Sequence, residues 1–519
     1  MNQILSHSIR KPTVITISAT DPLGMSGVHA DLRALTSMGV HGLCCITATT
    51  AQNQAGFFKV NAVSDDAFES QLDALMGHLE CDVIKIGLLA NANQVKILID
   101  HPILKNKKIV LDPVLAASSG TIEAHESRVL AILTLLPFID ILTPNLDEAK
   151  SILGASTKNS ENPNTPRIAL SLLELGVQSV LLKGGHGLQP STDYYCDSAI
   201  QFYLNHDVYQ HNYNRGTGCA MASLISASLA LGASRADAVV MAKMQMQSGW
   251  TSPFSISAQT GSLDFKQWVS PSDFSFNQAM ENNGSSETLE QSTVQSIQLP
   301  VQLPNVFKDF DEIQLTFPRC ESPLGLYPIF DRAEWLSRLL PLGIKVAQLR
   351  VKDLQGDALK QEIKLAVEIA RQFNCQLFIN DYWQLAIECG AYGVHLGQED
   401  IDEADLKVIS QNGLRLGLSS HCYYEVARAK TINPSYIAFG PVYETQTKEM
   451  PWIPQGPVGL AYWRAHLLGM PMVAIGGIHA ERFNGVKATG VDSIAMITAI
   501  TQADSPEETV RYFMDEFGR

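Results

Sequence analysis

From Phe276 to Pro304 the chain reads FNQAMENNGSSETLEQSTVQSIQLPVQLP, a long polar passage with neither helical nor strand periodicity. Its Gly-Ser-Ser, its scattered Asn, Gln and Ser and its Pro-rich end bring too little apolar surface to offset the entropy of ordering. Structureless loops above about 15 residues are uncommon inside compact domains. The stretch therefore reads as a flexible linker, residues 276–304, between a domain of residues 1–275 and one of residues 305–519. A chain of 519 residues is too long for one hydrophobic core and suits two domains of about 200–250 residues. A polar coil of this length spans roughly 30 Å.

The formal net charge of −15 argues against a nucleic-acid or anionic-membrane surface and leaves small molecules as the expected partners, with a homo-oligomer compatible. Nine cysteines show no CxxC pairs, and Cys44-Cys45 sits inside an apolar run. Buried free thiols fit this better than a disulfide framework, as in a reducing cytosol. The first dozen residues lack the apolar core of a signal peptide, and the longest apolar stretch, Ala220 to Ala233, is short and broken by serines. A soluble cytoplasmic protein is expected.

In the first half, the runs starting at Thr13, Gly42, Val83, Lys108, Asp140 and Ser179 alternate with amphipathic segments. That order implies a mostly parallel sheet between helices. Ligands of such sheets gather outside the carboxyl ends of the strands, where Asp21, Gln52-Asn53, Asp112-Pro113, Asn145 and Lys183-Gly184-Gly185 are expected. The sharpest local feature is Arg215-Gly216-Thr217-Gly218-Cys219, followed directly by a small-residue helix. Glycines let the backbone approach an anion, and amides at a helix start bind phosphate oxygens. Cys219 would sit in the first turn, where positive potential favours a thiolate base. Taken alone, the Gly-Thr-Gly-Cys stretch also reads as a simple helix cap.

Together, Ser18-Ala-Thr-Asp21-Pro-Leu-Gly24-Met25-Ser26-Gly27, Ala51-Gln52-Asn53, Thr143-Pro-Asn145-Leu-Asp-Glu148-Ala, Lys183-Gly-Gly-His186 and Gly216-Thr-Gly-Cys219 are more specific. This half resembles hydroxymethylpyrimidine and hydroxymethylpyrimidine phosphate kinases, of the ribokinase-like three-layer α/β/α fold. The resemblance implies ATP as co-substrate, pyrimidine contacts from Asp31 and Gln52, and a phosphate-stabilising loop Gly216, Thr217, Gly218 and Cys219, with Cys219 catalytic. It also implies Asn145 and Glu148 near the nucleotide and its Mg²⁺, and Lys183 near the phosphates. Met25 stands where the family usually has glycine, adding bulk near the substrate loop. Arg215 stands where it usually has histidine, adding charge near the phosphates. A half that only binds the pyrimidine, or one that phosphorylates pyridoxal, also fits these residues.

The second half carries eight strand-like runs at fairly even spacing, starting at Leu326, Val346, Gln376, Tyr392, Arg415, Tyr436, Met472 and Ser493, with helix-like segments between them. Eight such runs suggest a compact (β/α)₈ TIM barrel. Arg350, Lys352, Asn380, Asp381, His395, Gln398, Asp400, Ser419, Thr445, Thr447 and Lys448 fall at or just after the carboxyl ends, where this fold places its chemistry. Two separated carboxylates with several cations are the parts of a Mg²⁺-bound pyrophosphate site. Gly476-Gly477 after the seventh run and Thr498 after the eighth fit a phosphate cradle.

Gln348-Leu-Arg350-Val-Lys352, Asn380-Asp381, Gly393-Val-His395-Leu-Gly-Gln398-Glu-Asp400, Gly417-Leu-Ser419, Gly440-Pro-Val-Tyr443-Glu-Thr445-Gln-Thr447-Lys448 and Ala474-Ile-Gly476-Gly477-Ile closely resemble thiamine phosphate synthase. That family joins hydroxymethylpyrimidine pyrophosphate to hydroxyethylthiazole phosphate and releases pyrophosphate. By resemblance, Asp381 and Asp400 bind Mg²⁺, and Arg350, Lys352, Asn380, Ser419, Thr445, Thr447 and Lys448 hold pyrophosphate. Gln348 and His395 face the pyrimidine, and Gly477, Ile497 and Thr498 hold the thiazole phosphate. Glu444 departs from the usual proline and is expected to face solvent. The two resemblances together imply a bifunctional enzyme of thiamine biosynthesis whose first half makes the substrate of its second.

Overall fold

The computed structural model describes residues 10–518 apart from 54, 77–79, 116–125, 155–164, 185–190, 210, 212, 258–259, 272–301, 322–323 and 446–452. Most of the expected linker, residues 276–301, lies outside the described residues, as do Gly185, His186, Thr447 and Lys448. The chain divides into two compact units: residues up to Trp268 with a short segment ending at Lys308 form the first, and residues from Asp309 to Arg519 belong to the second.

In the first unit, strands β1 (Thr13–Ser18), β2 (His41–Ile46), β3 (Ala48–Asn53), β4 (Gly56–Ala62), β5 (Val83–Ile86), β6 (Lys108–Leu111), β7 (Ile141–Leu142) and β8 (Ser179–Leu182) come first. They are followed by β9 (Asp193–Asp197), β10 (Gln201–Asn205), β11 (Pro253–Ser257), β12 (Thr260–Leu263) and β13 (Asn305–Phe307). The main sheet runs β13-β10-β9-β8-β7-β6-β5-β1-β2. The six runs read as strands form its parallel part, β2-β1-β5-β6-β7-β8.

Along β1 and β5 the side chains alternate between two helical layers. Ile15, Ile17, Ile84 and Ile86 join an apolar core with Phe68, Leu98, Leu135 and Leu172 from the helices of one layer. The opposite face, with Thr16 and Lys85, meets the helix Thr217–Ala230, which also packs against Gly27–Ser37 and Arg235–Thr251. Residues Ala220–Leu229 of that central helix are all buried, so small side chains are what let it lie close to its neighbours.

Two differences from the sequence reading bear on function. Gln52 and Asn53 do not end a strand of the main sheet; they lie in a separate antiparallel hairpin, β3–β4. The boundary expected at 305 falls after Lys308, because β13 adds to the edge of the first unit's sheet beside β10. Three residues are too short to show strand periodicity. What fixes them is burial of Val306 and Phe307 and the stacking of Phe307 on Tyr203, 5.6 Å between ring centroids.

The second unit is the expected barrel. Strands β14 (Gly325–Phe330), β15 (Val346–Leu349), β16 (Gln376–Asn380), β17 (Gly393–Leu396), β18 (Arg415–Ser420), β19 (Tyr436–Phe439), β20 (Met472–Ala474) and β21 (Ser493–Met496) are parallel and close by β14–β21 pairing. Each matches one of the eight apolar runs. Tyr327, Ile329, Val346, Phe378, Tyr436 and Val473 fill the interior. Gly417 is required there, since any side chain would collide with the Tyr436 ring. Among the described residues no helix is long and apolar enough to cross a membrane, and all nine cysteines are free.

Candidate active sites

In the first unit the Asp21 carboxylate shapes the loop after β1. It accepts from the amides of Leu23, Met25 and Ser26 at 3.0, 3.1 and 2.9 Å and from the Ser26 hydroxyl at 2.9 Å. Met25 is thereby turned inward and buried, so the bulk expected at the substrate loop is absorbed by the interior. Against this loop sits the start of the helix Thr217–Ala230, capped by Gly216 in the left-handed region (φ 74°). A side chain at Gly216 would strike the Met25 carbonyl, so glycine is needed both for φ and for the close approach. The amides of Thr217, Gly218 and Cys219 open the helix, the arrangement an anion uses.

Beneath this turn two lysines are paired with carboxylates. Lys183 Nζ donates to Asp112 Oδ1 at 2.9 Å, and a Cβ on Gly218 would lie 3.3 Å from the same Nζ. Lys85 Nζ donates to Asp31 Oδ2 at 2.9 Å, with both side chains 0% exposed. Asp31 also accepts from Thr16 Oγ1 at 2.6 Å and Ser223 Oγ at 2.8 Å. Asp31, of which a pyrimidine contact is expected, is thus fully buried with Lys85 and two hydroxyls as its partners. Burial alone would push the Lys85 ammonium down, but Asp31, Cys219 and Asp112 offset it and hold Lys85 above its ordinary range. Lys183 is likewise held up against burial by Asp112 and Glu148.

Cys219 lies in surroundings that its place at a helix start does not reveal. Burial pushes its thiol up to about 12, with Asp112 and Asp31 adding to the rise and Lys85 and the Gly27 backbone opposing it. The surroundings favour the thiol over the thiolate. The helix-start potential is outweighed by desolvation and two nearby carboxylates, which no local sequence pattern reveals.

Asn145 and Glu148 form a reciprocal capping box on the helix Leu146–Ile152, with bonds of 2.9 and 2.8 Å. Asn145 also bridges to Lys183. Burial raises the Glu148 carboxyl, Lys183 lowers it and Asp112 raises it, so these groups share one cluster. Gln52 stands elsewhere, on the hairpin, where its Nε2 donates to Thr50 Oγ1 at 3.0 Å. Its Oε1 accepts from Arg215 Nη2 at 2.8 Å, and Arg215 Nη1 donates to the Asn53 carbonyl at 3.0 Å. Arg215 thus latches the hairpin to the helix-start loop, where a phosphate contact was expected of it. Lys85 carries no role in the sequence reading, and Asp112 enters it only as a residue at the carboxyl end of a strand. A lone lysine within the apolar run VIKIGLL was the available signal for the first.

In the barrel, Asn380 ends β16 and Asp381 follows it, His395 lies on β17, Ser419 on β18, and Arg350 and Lys352 follow β15. Lys352 Nζ donates to Asp381 Oδ2 at 2.6 Å. Asp381 holds a left-handed backbone (φ 65°), strain of the kind found at sites. Asp400 accepts from the Gly397 amide at 3.1 Å. Desolvation raises the Asp400 carboxyl, and Asp381, close enough to hydrogen-bond it, raises it further. His395 bridges Tyr436 and Ser419, and burial brings its pKa down to about 4, so it is neutral. Gln398 Nε2 donates to the Ser419 carbonyl at 2.5 Å. Gln348 is buried and donates to Tyr327. Thr445 is partly exposed and Glu444 exposed.

Gly476 and Gly477 both adopt positive φ, and a side chain on Gly477 would meet the Glu444 carbonyl. Arg482, not foreseen, donates to the Gly477 carbonyl at 2.7 Å and lies 4.4 Å from the Tyr443 ring centroid. Ile497 precedes the short helical turn Thr498–Thr501.

The phosphomethylpyrimidine kinase family matches residues 21–264, and the thiamine monophosphate synthase family matches residues 326–500. The thiamine-phosphate synthase of Serratia proteamaculans is 50% identical over 192 residues, 37% of this chain and 91% of that protein. The thiamine-phosphate synthase of Photorhabdus laumondii is 52% identical over 187 residues, covering 36% and 87%. The phosphomethylpyrimidine kinase structure from Clostridium difficile is 29% identical, covers 46% of this chain and 98% of that one, and has a TM-score of 0.40. The Staphylococcus aureus pyridoxal kinase structure with ADP is 27% identical, covers 50% and 94%, and has a TM-score of 0.45. The chain belongs to the thiamine-phosphate synthases, and with a phosphomethylpyrimidine kinase domain in its first half it is a bifunctional transferase of thiamine biosynthesis.

Proposed function

We propose that the first unit transfers phosphoryl groups from ATP to hydroxymethylpyrimidine or its monophosphate. The barrel then condenses the resulting pyrophosphate with hydroxyethylthiazole phosphate. The observation that carries the reading is the Lys352–Asp381–Asp400 cluster, in which a cation is bonded to one of two carboxylates and desolvation and the neighbouring Asp381 raise the Asp400 carboxyl. Such a pair fits a divalent cation, which relieves the repulsion. Asp381 and Asp400 would hold Mg²⁺, which when bound neutralises charge on the leaving pyrophosphate.

Arg350, Lys352, Asn380, Ser419, Thr445, Thr447 and Lys448 would bind the pyrophosphate oxygens, and Gln348 and His395 the pyrimidine. Gly477, Ile497 and Thr498 would hold the thiazole phosphate. Loss of pyrophosphate leaves a stabilised pyrimidine methyl cation that the thiazole nitrogen captures. The protein's part is leaving-group stabilisation and alignment, with no covalent intermediate.

In the kinase unit the helix-start amides of Gly216 to Cys219 and the paired Lys183 would meet the transferring phosphoryl group, with Asn145 and Glu148 toward the nucleotide. Because its thiol is protonated, Cys219 acts as a hydrogen-bond donor to the reacting oxygens in place of a thiolate base. Gln52, oriented by Arg215, would meet the polar edge of the pyrimidine.

The test supplies the intact chain with hydroxymethylpyrimidine, ATP, Mg²⁺ and hydroxyethylthiazole phosphate and follows thiamine phosphate. Product should require ATP unless the pyrimidine pyrophosphate is added directly. Asp400→Asn should lower the synthase rate about 10²-fold at limiting Mg²⁺, with partial recovery in excess metal. A wild-type rate at every Mg²⁺ concentration refutes the metal assignment, and a higher kcat/KM with pyridoxal refutes the pyrimidine assignment.

A further inference from the structure

The barrel interior holds a file of polar groups in which the proposed reaction gives two, Tyr327 and Tyr436, no role. Gln348 Nε2 donates to the Tyr327 hydroxyl at 3.4 Å, and the Tyr327 and Tyr436 hydroxyls lie 2.7 Å apart. Tyr436 lies 2.8 Å from His395 Nδ1, and His395 Nε2 lies 2.9 Å from Ser419 Oγ. Both tyrosines are completely or almost completely buried, and Gln348 and His395 nearly so. The site is built for this file: Gly417 has no side chain so that the Tyr436 ring can occupy the space, and His395 stacks on that ring at 14°.

Proton counting gives the file a direction. A carboxamide nitrogen only donates, each hydroxyl carries one proton, and a neutral imidazole carries one. With Gln348 donating to Tyr327, the Tyr327 proton goes to Tyr436 and the Tyr436 proton to His395 Nδ1. The imidazole proton is then on Nε2 and points at Ser419. In the opposite direction, Tyr327 would receive protons from both Gln348 and Tyr436, and its own buried proton would have no acceptor within this file. An imidazolium, donating from both nitrogens, meets the same conflict. A buried hydroxyl left unpaired is the costlier state.

We propose that Tyr436 and Tyr327 are positioning residues that hold His395 as the Nε2–H tautomer, so that Ser419 turns its own hydroxyl proton outward to the leaving group. That the outward acceptor is a pyrophosphate oxygen rests on the function proposed above; the tautomer does not. The tyrosines act through His395 and touch no substrate. Their effect is to convert a serine that could accept or donate into one committed to donating, at the place where negative charge develops.

The experiment uses the intact chain labelled with ¹⁵N-histidine and long-range ¹H–¹⁵N correlation spectra, with the His395 signals identified by their loss in His395→Gln. The wild-type protein should show a protonated Nε2 and an unprotonated Nδ1. Tyr436→Phe should move both nitrogens toward the averaged shifts of mixed tautomers. The same variant should lower the synthase kcat about tenfold, with KM for either substrate nearly unchanged, because one directed hydrogen bond at the leaving group is lost.

A wild-type His395 that is protonated at Nδ1 overturns the proposal, and so does a tautomer unmoved by Tyr436→Phe. The wild-type spectrum alone decides the direction if that variant does not fold. If the tautomer responds as expected but the chain forms no thiamine phosphate, the assigned function fails and the relay stands. If the tautomer responds and kcat does not, while Ser419→Ala is impaired, the outward role of Ser419 is overturned.

Discussion

The two sites handle buried polarity in opposite ways. Around the kinase site, charges are taken deep into the protein in closed pairs: Lys85 with Asp31, Lys183 with Asp112, and Lys243 with Asp193 at 2.6 Å. In the barrel site the buried polar groups are neutral, from Gln348 through two tyrosines to His395, which meets the half-buried Ser419. The charges there stay at the rim, where the Lys352 side chain is half exposed. A buried ion pair repays its desolvation only while both partners are present, so the kinase site is stiff and intolerant of substitution. A neutral hydroxyl file costs less to bury and can carry a preferred proton direction, which a locked ion pair cannot.

The largest expected effect follows from removing one member of a closed pair. Asp31→Ala leaves Lys85 as an unpaired buried cation and should destabilise the first unit by about 3–5 kcal/mol. Calorimetry of the intact chain should show one transition moving down while the other holds. Equal stability in this variant would break the contrast at its base.

Next is Cys219→Ala, expected to lower the kinase kcat by about 10²-fold, the loss of one donor at the reacting oxygens, while KM for the pyrimidine changes little. Cys219→Ser should recover part of the rate, since a hydroxyl also donates. Wild-type turnover in the alanine variant removes Cys219 from the chemistry, and a serine variant as slow as alanine restores a thiolate role.

Arg215→His tests the latch between the hairpin and the helix-start loop. Two hydrogen bonds from a guanidinium are shortened out of reach, so faster hydrogen exchange at Gln52 and Asn53 should accompany a rise of about tenfold in KM for the pyrimidine. A faster enzyme with unchanged exchange would mean that Arg215 burdens the site instead of ordering it.

Acid provides the mildest comparison. Desolvation depresses His395 and His466 in the barrel, and His206 in the first unit, to about 4. The ordinary histidine value is about 6.5. Below it the unfolded chain takes up protons that the folded chain refuses, so stability present above about pH 6.5 drains as pH falls toward 4. The barrel, with two such histidines, should lose more in its thermal transition between pH 7 and pH 5 than the first unit. Parallel losses would remove the distinction.

Much of this architecture was legible because it rests on local periodicity. The six parallel strands of the first sheet and all eight barrel strands are short apolar runs bounded by turns, and a parallel strand buried on both faces has that composition. The clustering of Arg350, Lys352, Asp381, Asp400 and Ser419 at or just after strand ends followed from the same pattern, because a barrel brings every carboxyl end to one face. The antiparallel strands β9 and β10 and the edge strand β13 escaped notice. Their pairing is set by long-range contacts such as Tyr203 with Phe307, not by a run of their own.

What the chain order determined by itself is therefore the two-part organisation, the fold of each part and the families it belongs to, since these depend on patterns read along a few residues at a time. Tertiary structure alone decided the state and partners of the groups at the sites. Asp31 is an anchor for Lys85 because β1, β5 and the helix Thr217–Ala230 enclose it; Cys219 keeps its proton because desolvation and two carboxylates from distant segments outweigh a helix start. Arg215 grips Gln52 across 163 residues of sequence, and His395 receives its place in a proton file from a tyrosine two strands away. Desolvation and Coulomb interactions depend on distance in space and on what excludes water, and neither quantity is written in the spacing of residues along the chain.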